Sequence, residues 1–379
     1  MQATDGSKDN KLRNGFTTGS CAAAAAGAAC RMLLGEDDIR SMSIVTPKGM
    51  IFDAEILDIK RSAGRVSCAV RKDGGDDPDV TTGYLVYAEV SFSDDEGITI
   101  RGGEGVGRVT RPGLDQPVGE YAINSVPRQM IRDTVKDAAE MHSYDGGFEV
   151  SVSVPGGEEL ASRTFNPRLG IEGGISIIGT SGVVEPMSEQ ALLDTIKVEL
   201  AQKKAEGCRA AFVSPGNYGL DFMKKTYGVD LDRSVKCSNF IGRTIDMICD
   251  AGFDSMLLTG HAGKLVKVAG GIMNTHSREA DCRMELITAA AAREGADTGV
   301  ISGVLGSLTT EEAFAVLSKA GLMQRTAGRL MASIMSNLDR RAEGRLHVEC
   351  IMYTKECGLI AASAGAEAMI NENREQWNG

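Results

Sequence analysis

The sequence predicts a mixed α+β and α/β fold in two domains: an α+β domain over residues 1–170, then a Rossmann-like, three-layer α/β domain with a mainly parallel sheet over residues 171–379. The length of 379 residues exceeds that of a usual single hydrophobic core. Short β-type stretches predominate at first, whereas from Ile175 onward apolar runs, glycine-rich loops and amphipathic helices alternate. The segment "FNPRLGIEGG", with Pro167 and its glycines, suits a crossover between the two patterns.

The first domain begins with a predicted alanine-rich helix over residues 17–34. Thr17, Thr18 or Ser20 can cap its start, and Gly35 can end it. Its small side chains allow a second backbone or a ligand to approach closely, although packing alone explains most such helices. The other predicted elements are strands over residues 43–46, 51–59, 66–70, 84–92 and 98–100, a helix over 128–141 and a strand over 148–154.

The second domain is predicted from apolar runs that are each followed by a helical segment. In parallel α/β sheets, ligands bind at the carboxyl ends of the strands, so we expect the loops "GTSG", "SPGN" and "TGHAG" to lie at a ligand site. Further helices are predicted over residues 274–294 and 309–342, and a late strand without an assigned partner over 345–354. The runs are "GISIIGTSG", "RAAFVSPGN", "SVKCSN" and "DSMLLTGHAG".

Composition excludes several classes of function. The formal net charge of −11 disfavours nucleic-acid binding but permits a local basic pocket for small anions. Nine cysteines without a C-x-x-C pair and four histidines predict neither a disulfide framework nor a metal site. The alanine run between Cys21 and Cys30 is too weakly apolar for a signal peptide, and no run approaches the roughly 20 apolar residues of a membrane span. A cytoplasmic location without membrane contact is therefore predicted.

Two motifs resemble nucleotide-binding loops but have the wrong spacing. In "GHAGK", only two residues separate Gly260 from the Gly263-Lys264 pair, where a P-loop has four, and Leu265 stands where a Ser or Thr would hold magnesium. In "RGGEGVGRVTRPGL", Arg108 stands where a dinucleotide-binding motif has its third glycine. Neither motif predicts nucleotide binding.

Basic side chains beside the glycine-rich stretches indicate an anion-binding site. Guanidinium groups bind carboxylates and phosphates through paired hydrogen bonds, and a lysine at a helix start adds to the positive end of the helix dipole. Solvated surface positions are an equally good explanation of these residues. The basic residues are Arg101, Arg108, Arg111, Arg128, Arg168 and Lys264.

His261 is a candidate acid or base, since histidine titrates near neutral pH, although a lone histidine is more often structural. Taken by themselves, the residues predict a two-domain α/β enzyme with an anion-lined cleft and leave its substrate open.

Several long motifs together resemble the CbiD family. The resemblance runs in order from about Leu12 to Asp281 and is looser in the C-terminal third. The motifs are "GFTTGSCAAAAAGAA", "GGEGVGRVTRPGL", "VGEYAINSVPRQMI", "NPRLGIEGGISIIGTSGVVEPMSE", "SPGNYG", "CSNFIGRTID" and "LLTGHAGKLVKVAGGIMNTHSREAD".

This resemblance implies transfer of a methyl group from S-adenosyl-L-methionine to C1 of the cobalt-containing tetrapyrrole cobalt-precorrin-5B, giving cobalt-precorrin-6A in anaerobic cobalamin biosynthesis. Cobalt would arrive as part of the substrate, with no protein ligand, and other enzymes of the pathway are expected partners. Because the macrocycle carries acetate and propionate groups, the six basic residues above are the expected substrate-binding residues. The expected cofactor-binding residues are Gly179, Thr180, Ser181, Gly216, Asn217, Gly260 and Gly263, and His261 and Glu185 are the expected catalytic residues.

Two other functions fit parts of the sequence. A non-catalytic tetrapyrrole carrier would use the same arginines without an adenosyl site. A small-molecule phosphotransferase would use the Gly103 to Arg111 and Gly260 to Lys264 stretches, but Leu265 counts against it.

Overall fold

The computed structural model describes residues 12–164 and 166–378, which form two compact units that divide between Ser188 and Glu189. We call them the N-terminal and C-terminal units. The division falls later than the predicted one after residue 170, because the intervening segment pairs with earlier strands. Ile171–Glu172 is antiparallel to Arg108–Val109, and Val183–Val184 is antiparallel to Gly15–Phe16.

The N-terminal unit is built on a six-stranded sheet of order β2-β3-β4-β5-β8-β6, in which only β6 and β8 are parallel neighbours. One face of this sheet carries the hydrophobic core together with α1 and α2, as the alternating pattern of the strands predicts. Its elements are β1 (Gly15–Phe16), α1 (Thr18–Leu33), β2 (Ser41–Val45), β3 (Ile51–Ser62), β4 (Arg65–Arg71), β5 (Leu85–Ser93), β6 (Ile98–Gly102), β7 (Arg108–Val109), α2 (Ser125–Met141), β8 (Gly147–Ser153), α3 (Gly157–Ala161), β9 (Ile171–Glu172) and β10 (Val183–Val184).

Helix α1 is the buried centre of this unit. The Thr17 hydroxyl accepts a hydrogen bond from the Ser20 N–H at 3.2 Å and so caps the helix start, as the sequence indicates. The helix packs against β4, β5 and α2, and a Cβ on Gly27 would lie 2.8 Å from Met42 Cε. The Thr134 hydroxyl of α2 donates to the Ala23 carbonyl at 3.0 Å. Close packing of helix and sheet therefore accounts for the small side chains.

The run "GISIIGTSG" is not a strand of the parallel sheet, and this prediction is wrong. Ile175 and Ile177 form isolated bridges with Val106 and Ile123 inside the N-terminal unit. The loop that follows closes over the start of α1, where the Ile178 carbonyl accepts from the Gly19 N–H at 3.1 Å. A short apolar run can be buried as a strand of a parallel sheet or as an irregular segment of another core, and periodicity does not distinguish the two.

Glycines in the N-terminal unit permit a close crossing of chain segments. A Cβ on Gly105 would lie 1.9 Å from the Val154 carbonyl oxygen, and a Cβ on Gly174 would lie 2.3 Å from the Gly105 carbonyl oxygen. Side chains at these positions would force the segments apart. Part of the high glycine content therefore serves packing rather than ligand binding.

The C-terminal unit has a five-stranded sheet of order β12-β11-β13-β14-β15, parallel except for the antiparallel edge strand β15. One large cluster of helices covers one face, and α5 and α12 cover the other. Its elements are α4 (Glu189–Ala205), β11 (Ala210–Ser214), α5 (Leu220–Tyr227), a 3₁₀ helix (Leu231–Arg233), β12 (Val235–Lys236), α6 (Ile241–Asp250), β13 (Ser255–His261), α7 (Ala262–Ala269), α8 (Arg283–Arg293), α9 (Thr298–Leu305), α10 (Thr310–Lys319), α11 (Met323–Ala342), β14 (His347–Thr354), β15 (Gly358–Ala362) and α12 (Ala366–Asn378).

The three-layer, mainly parallel architecture predicted for this part of the chain is confirmed. The late strand without an assigned partner is β14, which lies between β13 and β15. Along its length, Val348, Cys350 and Met352 face one helical layer, while Ile351 and Tyr353 face the other. Within the described ranges, no helix combines the length and the apolar character that crossing a membrane requires.

Gly105→Ala is expected to lower the free energy of unfolding more than Gly119→Ala does. Both glycines have positive φ angles, 71° and 92°, so both variants carry about 1–2 kcal/mol of left-handed strain. Only at Gly105 does the new Cβ meet backbone atoms, because no described atom lies within 4 Å of the corresponding position at Gly119. Overpacking should therefore add about 1–3 kcal/mol in Gly105→Ala. Chemical denaturation measures the difference, and equal losses would contradict the close crossing.

Candidate active site

The carboxyl ends of four parallel strands in the C-terminal unit meet at one edge of the sheet. Strands β11, β12, β13 and β14 end at Ser214, Lys236, His261 and Thr354. We call this the strand-end edge. Of the predicted cofactor-binding residues, the structure brings Gly216, Asn217, Gly260 and Gly263 to it, together with His261 and Lys264.

His261 ends β13 and caps α7, and both of its ring nitrogens have partners. Nδ1 accepts a hydrogen bond from the Gly263 N–H at 3.0 Å, so the proton of the neutral ring lies on Nε2. Nε2 is 3.3 Å from Glu311 Oε1. Because Gly263 N–H occupies the only lone pair of the neutral ring, His261 is placed to fix the start of α7 rather than to take a proton from a substrate.

Glu311 lies in the first turn of α10 and connects His261 to the end of β14. Its Oε1 also accepts from the Lys355 N–H at 3.0 Å. Burial raises the pKa of Glu311, but hydrogen bonds from His261 and from the Lys355 N–H outweigh it, so the net shift is downward. Sequence reasoning missed this residue because it lies 50 positions after His261 and because acidic residues are common in first helical turns.

The two lysines of α7 have different roles. Lys267 is only 3% exposed, and its ammonium donates to the carbonyls of Thr275 and Ala280 at 3.2 and 2.8 Å. Lys264 is partly buried and donates one hydrogen bond, to the Ser238 carbonyl at 3.2 Å. Burial lowers the pKa of Lys264, and the charge of Lys267 acts in the same direction. Lys267 is therefore structural, whereas Lys264 retains N–H groups for an anion at the strand-end edge.

Two further contacts that sequence reasoning missed hold the loop after β11. The Tyr353 hydroxyl donates to the Tyr218 carbonyl, and a Cβ on Gly219 would meet the Tyr353 ring at 2.3 Å. Ser214 Oγ is 2.7 Å from Ser234 Oγ. The proline and glycines of the motif "SPGNYG" predict a loop. The contacts with Tyr353 and Ser234 hold that loop in place, and they cannot be read from the motif itself.

The N-terminal unit brings two of its arginine-containing motifs together through the β7–β9 pair. Arg108 lies opposite Glu172, its guanidinium is 3.9 Å from the centre of the Tyr121 ring, and it donates to the Gly119 carbonyl at 2.7 Å. Gly170, next to β9, adopts a φ of 70° and packs against the Arg111 side chain. This cluster gives the N-terminal unit a surface with exposed positive charge.

Two other predicted substrate-binding arginines differ in their surroundings. Arg101 is 61% exposed and lies 3.4 Å from Glu149 on the neighbouring strand, and Arg168 is exposed on the segment before β9. Both remain on the surface of the N-terminal unit.

Arg128 has a structural role in place of the predicted substrate contact. Its side chain is 12% exposed. The guanidinium donates to the Ile123, Ile100 and Tyr121 carbonyls at 2.8, 3.3 and 3.4 Å. These bonds tie α2 to β6 and to the segment before the helix, and Nη2 also lies 3.5 Å from Glu120 Oε2.

Four other predicted site residues belong to the N-terminal unit. Glu185 forms an ion pair with Lys48. The Ser181 hydroxyl donates to the Val183 carbonyl at 3.0 Å, in the loop that closes over α1. Their segment pairs with β1 and does not end a strand of the parallel sheet. The four residues are Gly179, Thr180, Ser181 and Glu185.

Metal-binding chemistry has no counterpart among residues 12–164 and 166–378, where no group of three or more His, Cys, Asp and Glu side chains could hold an ion. The cysteines, all of which belong to the described residues, are free thiols.

Known proteins match nearly the whole chain. The CbiD family model matches residues 5–186, which ends close to the division at Ser188, and the model of the CbiD C-terminal domain matches residues 274–364. A protein of Ruminiclostridium cellulolyticum named cobalt-precorrin-5B C(1)-methyltransferase is 49% identical over 367 residues, which cover 96% of this chain and 95% of the relative. The chain belongs to the CbiD family.

A second sequence relative and one solved structure also match the chain. A protein with the same name from Alkaliphilus metalliredigens is 44% identical over 360 residues, 95% of this chain and 94% of the relative. The crystal structure of a cobalamin biosynthesis protein (CbiD) from Archaeoglobus fulgidus is 28% identical and covers 70% of this chain and 83% of that chain, with a TM-score of 0.38. The predicted family is confirmed by the family models and by the two relatives that are 49% and 44% identical.

Glu311→Gln is expected to remove a part of the stability that depends on pH. A carboxylate with a lowered pKa contributes stability above its ordinary value of 4.5 and loses it as the pH falls through the folded-state pKa. The variant should be less stable than the wild type by about 1 kcal/mol at neutral pH, and the difference should shrink below pH 4.5.

Urea denaturation at several pH values measures this difference. Glu312→Gln is the matched control, since Glu312 lies in the same helical turn but accepts from the Leu308 N–H at 2.8 Å. The same pH dependence in both variants would show that the contact with His261 is not its source.

Proposed function

We propose that this protein transfers a methyl group from S-adenosyl-L-methionine to C1 of cobalt-precorrin-5B, forming cobalt-precorrin-6A in anaerobic cobalamin biosynthesis. The observation that carries the proposal is the 49% identity over 96% of the chain to a relative named for this reaction. A methyltransferase needs a methyl donor and a tetrapyrrole-binding surface, and each unit offers groups suited to one of these tasks.

The strand-end edge of the C-terminal unit suits the methyl donor. Among the atoms of the described residues beyond its chain neighbours, only Tyr218 Cδ2 comes within 4.0 Å of the position of a Cβ on Gly216, so a ligand has room to approach the backbone. Tyr218 is 78% exposed and offers an aromatic face for a base. Lys264 supplies a positive charge for a carboxylate. Gly216, Asn217, Gly260 and Gly263 are the residues that we assign to the donor, which supplies an electrophilic sulfonium methyl group when bound.

The N-terminal unit suits the acidic side chains of the tetrapyrrole. Arg108 and Arg111 lie beside the β7–β9 pair, and Arg101 and Arg168 are exposed on the same unit. Guanidinium groups bind carboxylates with two parallel hydrogen bonds. A local positive surface of this kind allows a protein with a net charge of −11 to bind a polycarboxylate.

Catalysis in this proposal comes from positioning. Methylation of an electron-rich ring carbon requires an in-line approach to the methyl group, and holding two reactants in that geometry removes much of the barrier. His261 and Glu311 contribute by fixing the turn between β13 and α7, because His261 Nδ1 accepts from the Gly263 N–H and Nε2 faces Glu311. We therefore assign His261 a positioning role.

Anaerobic incubation with cobalt-precorrin-5B and methyl-labelled S-adenosyl-L-methionine should place the label at C1 of the ring. Mass spectrometry and NMR of the product measure its incorporation and its position. A reaction without protein is the control for spontaneous transfer. If no label reaches the ring, the proposal is wrong, and binding of the tetrapyrrole without binding of S-adenosyl-L-methionine would identify a carrier. Label at another carbon would overturn the assigned position.

Arg108→Ala and Arg111→Ala are expected to weaken tetrapyrrole binding about tenfold each, since a hydrogen-bonded charge pair is lost, while binding of S-adenosyl-L-methionine stays nearly unchanged. Titration calorimetry with each ligand measures both affinities. Arg65→Ala is the control, because Arg65 is an exposed arginine of the same unit that pairs with Glu89 at 3.1 Å. Equal loss of both ligands in a folded variant would refute the division of tasks between the units.

A further inference from the structure

A groove of about 440 Å³ lies among helices α7, α8 and α11 of the C-terminal unit, and three arginines line it. The groove runs along α11 and is bounded by the ends of α7 and α8. None of its lining residues, all of which belong to the described chain, is acidic. They are Ala269, Gly270, Arg293, Arg329, Ala332, Ser333, Ser336, Asn337 and Arg340.

The sequence of α11 explains the shape of the groove. Six of the lining residues belong to this helix and recur at spacings of three and four, so they share one face. Ala332, Ser333 and Ser336 are small, and Arg329 and Arg340 are the first and the last of the six along the helix. Eleven positions apart on a helix, their Cα atoms are separated by about 16 Å along the axis. This spacing suits an elongated ligand with several charges better than a single small ion.

Arginines near the end of a helix often bind its last carbonyl groups. At the end of α7 another side chain already does so. The last carbonyls of α7, those of Val268 and Ala269, accept hydrogen bonds from Asn337 Nδ2 at 2.9 and 3.1 Å. Arg329 pairs with Glu294 at 2.5 Å. The guanidinium groups of Arg293 and Arg340, by contrast, form no ion pair or hydrogen bond within residues 12–164 and 166–378. Two positive charges thus remain uncompensated in a groove of a protein whose net charge is −11.

The groove is separate from the strand-end edge. Helix α7 starts at the strand-end edge, next to His261, and its other end, Ala269 with the following Gly270, lines the groove. Eight helical residues place the two sites about 12 Å apart along the helix axis. A ligand in the groove therefore does not occupy the position assigned to the methyl donor.

We propose that this groove binds a small organic polyanion through Arg293 and Arg340, beside Arg329, which pairs with Glu294. Arginine forks recognise carboxylate and phosphate oxygens alike, and the groove volume falls within the range of about 300–1,000 Å³ that small-molecule sites occupy. The chemistry that the groove recognises is therefore several anionic oxygens on one elongated molecule, supplied either by carboxylates or by phosphates.

Titration calorimetry on the full chain tests the site with two probes. Benzene-1,2,4,5-tetracarboxylate represents a polycarboxylate and pyrophosphate represents a polyphosphate. At least one probe should bind saturably, and the double variant Arg293→Gln with Arg340→Gln should weaken that binding at least about tenfold, because charge-assisted hydrogen bonds are lost. The probe that binds more tightly identifies the anionic group.

Arg325→Gln is the matched control for the loss of charge. Arg325 lies on the same helix and is 65% exposed, but it pairs with Glu294 at 2.9 Å and does not line the groove. Binding in this variant should stay close to that of the wild type. Circular dichroism and thermal melting of all variants show whether the fold is kept. The proposal fails if neither probe saturates, if the double variant binds like the wild type, or if Arg325→Gln weakens binding as much as the double variant.

Discussion

The parallel pairing of β11, β12, β13 and β14 is the constraint on which the candidate site depends. Parallel strands of this sheet are covered on both faces, so their interior side chains are mostly apolar, with Thr259 and Glu349 as buried exceptions. His261 and the glycine-rich loops after β11 and β13 lie where the strands end. The parallel register brings all of these ends to one edge, and residues distant in sequence, such as His261 and Glu311, meet there.

The packing of the N-terminal unit depends on backbone segments that lie very close to one another. An alanine-rich helix lies buried between a sheet and a second helix, and glycines let the segments around Gly105 and Gly174 cross at distances that no side chain would allow. Both features reflect the high density of protein interiors, where one added methyl group has to displace a neighbour. Arg101, Arg108, Arg111 and Arg168 lie on the outside of these packed segments, whereas Arg128 is bound within them.

Capping residues and apolar periodicity predict most of the helices and strands. The roles that they do not predict depend on contacts between residues distant in the sequence. The alanine-rich helix was predicted over residues 17–34 and is Thr18–Leu33, because its cap and its end are encoded within the helix itself. The run containing Ile175 gave the same signal as a buried strand, and only its bridges to Val106 and Ile123 assign it to the other unit. The roles of Lys267, Arg128 and Glu311 depend in the same way on carbonyls and side chains elsewhere in the chain.

The return of residues 171–184 to the N-terminal unit limits where the gene for this chain could be divided. A cut at the glycine-rich segment, where the sequence pattern changes, would take from β7 and β1 their antiparallel partners and from the Ser20 hydroxyl its acceptor, the Gly182 carbonyl at 2.6 Å. A cut after Ser188 separates the two units without breaking either sheet. Gene fission or fusion in this family is thus structurally permitted at the junction that the fold defines and not at the one that composition indicates.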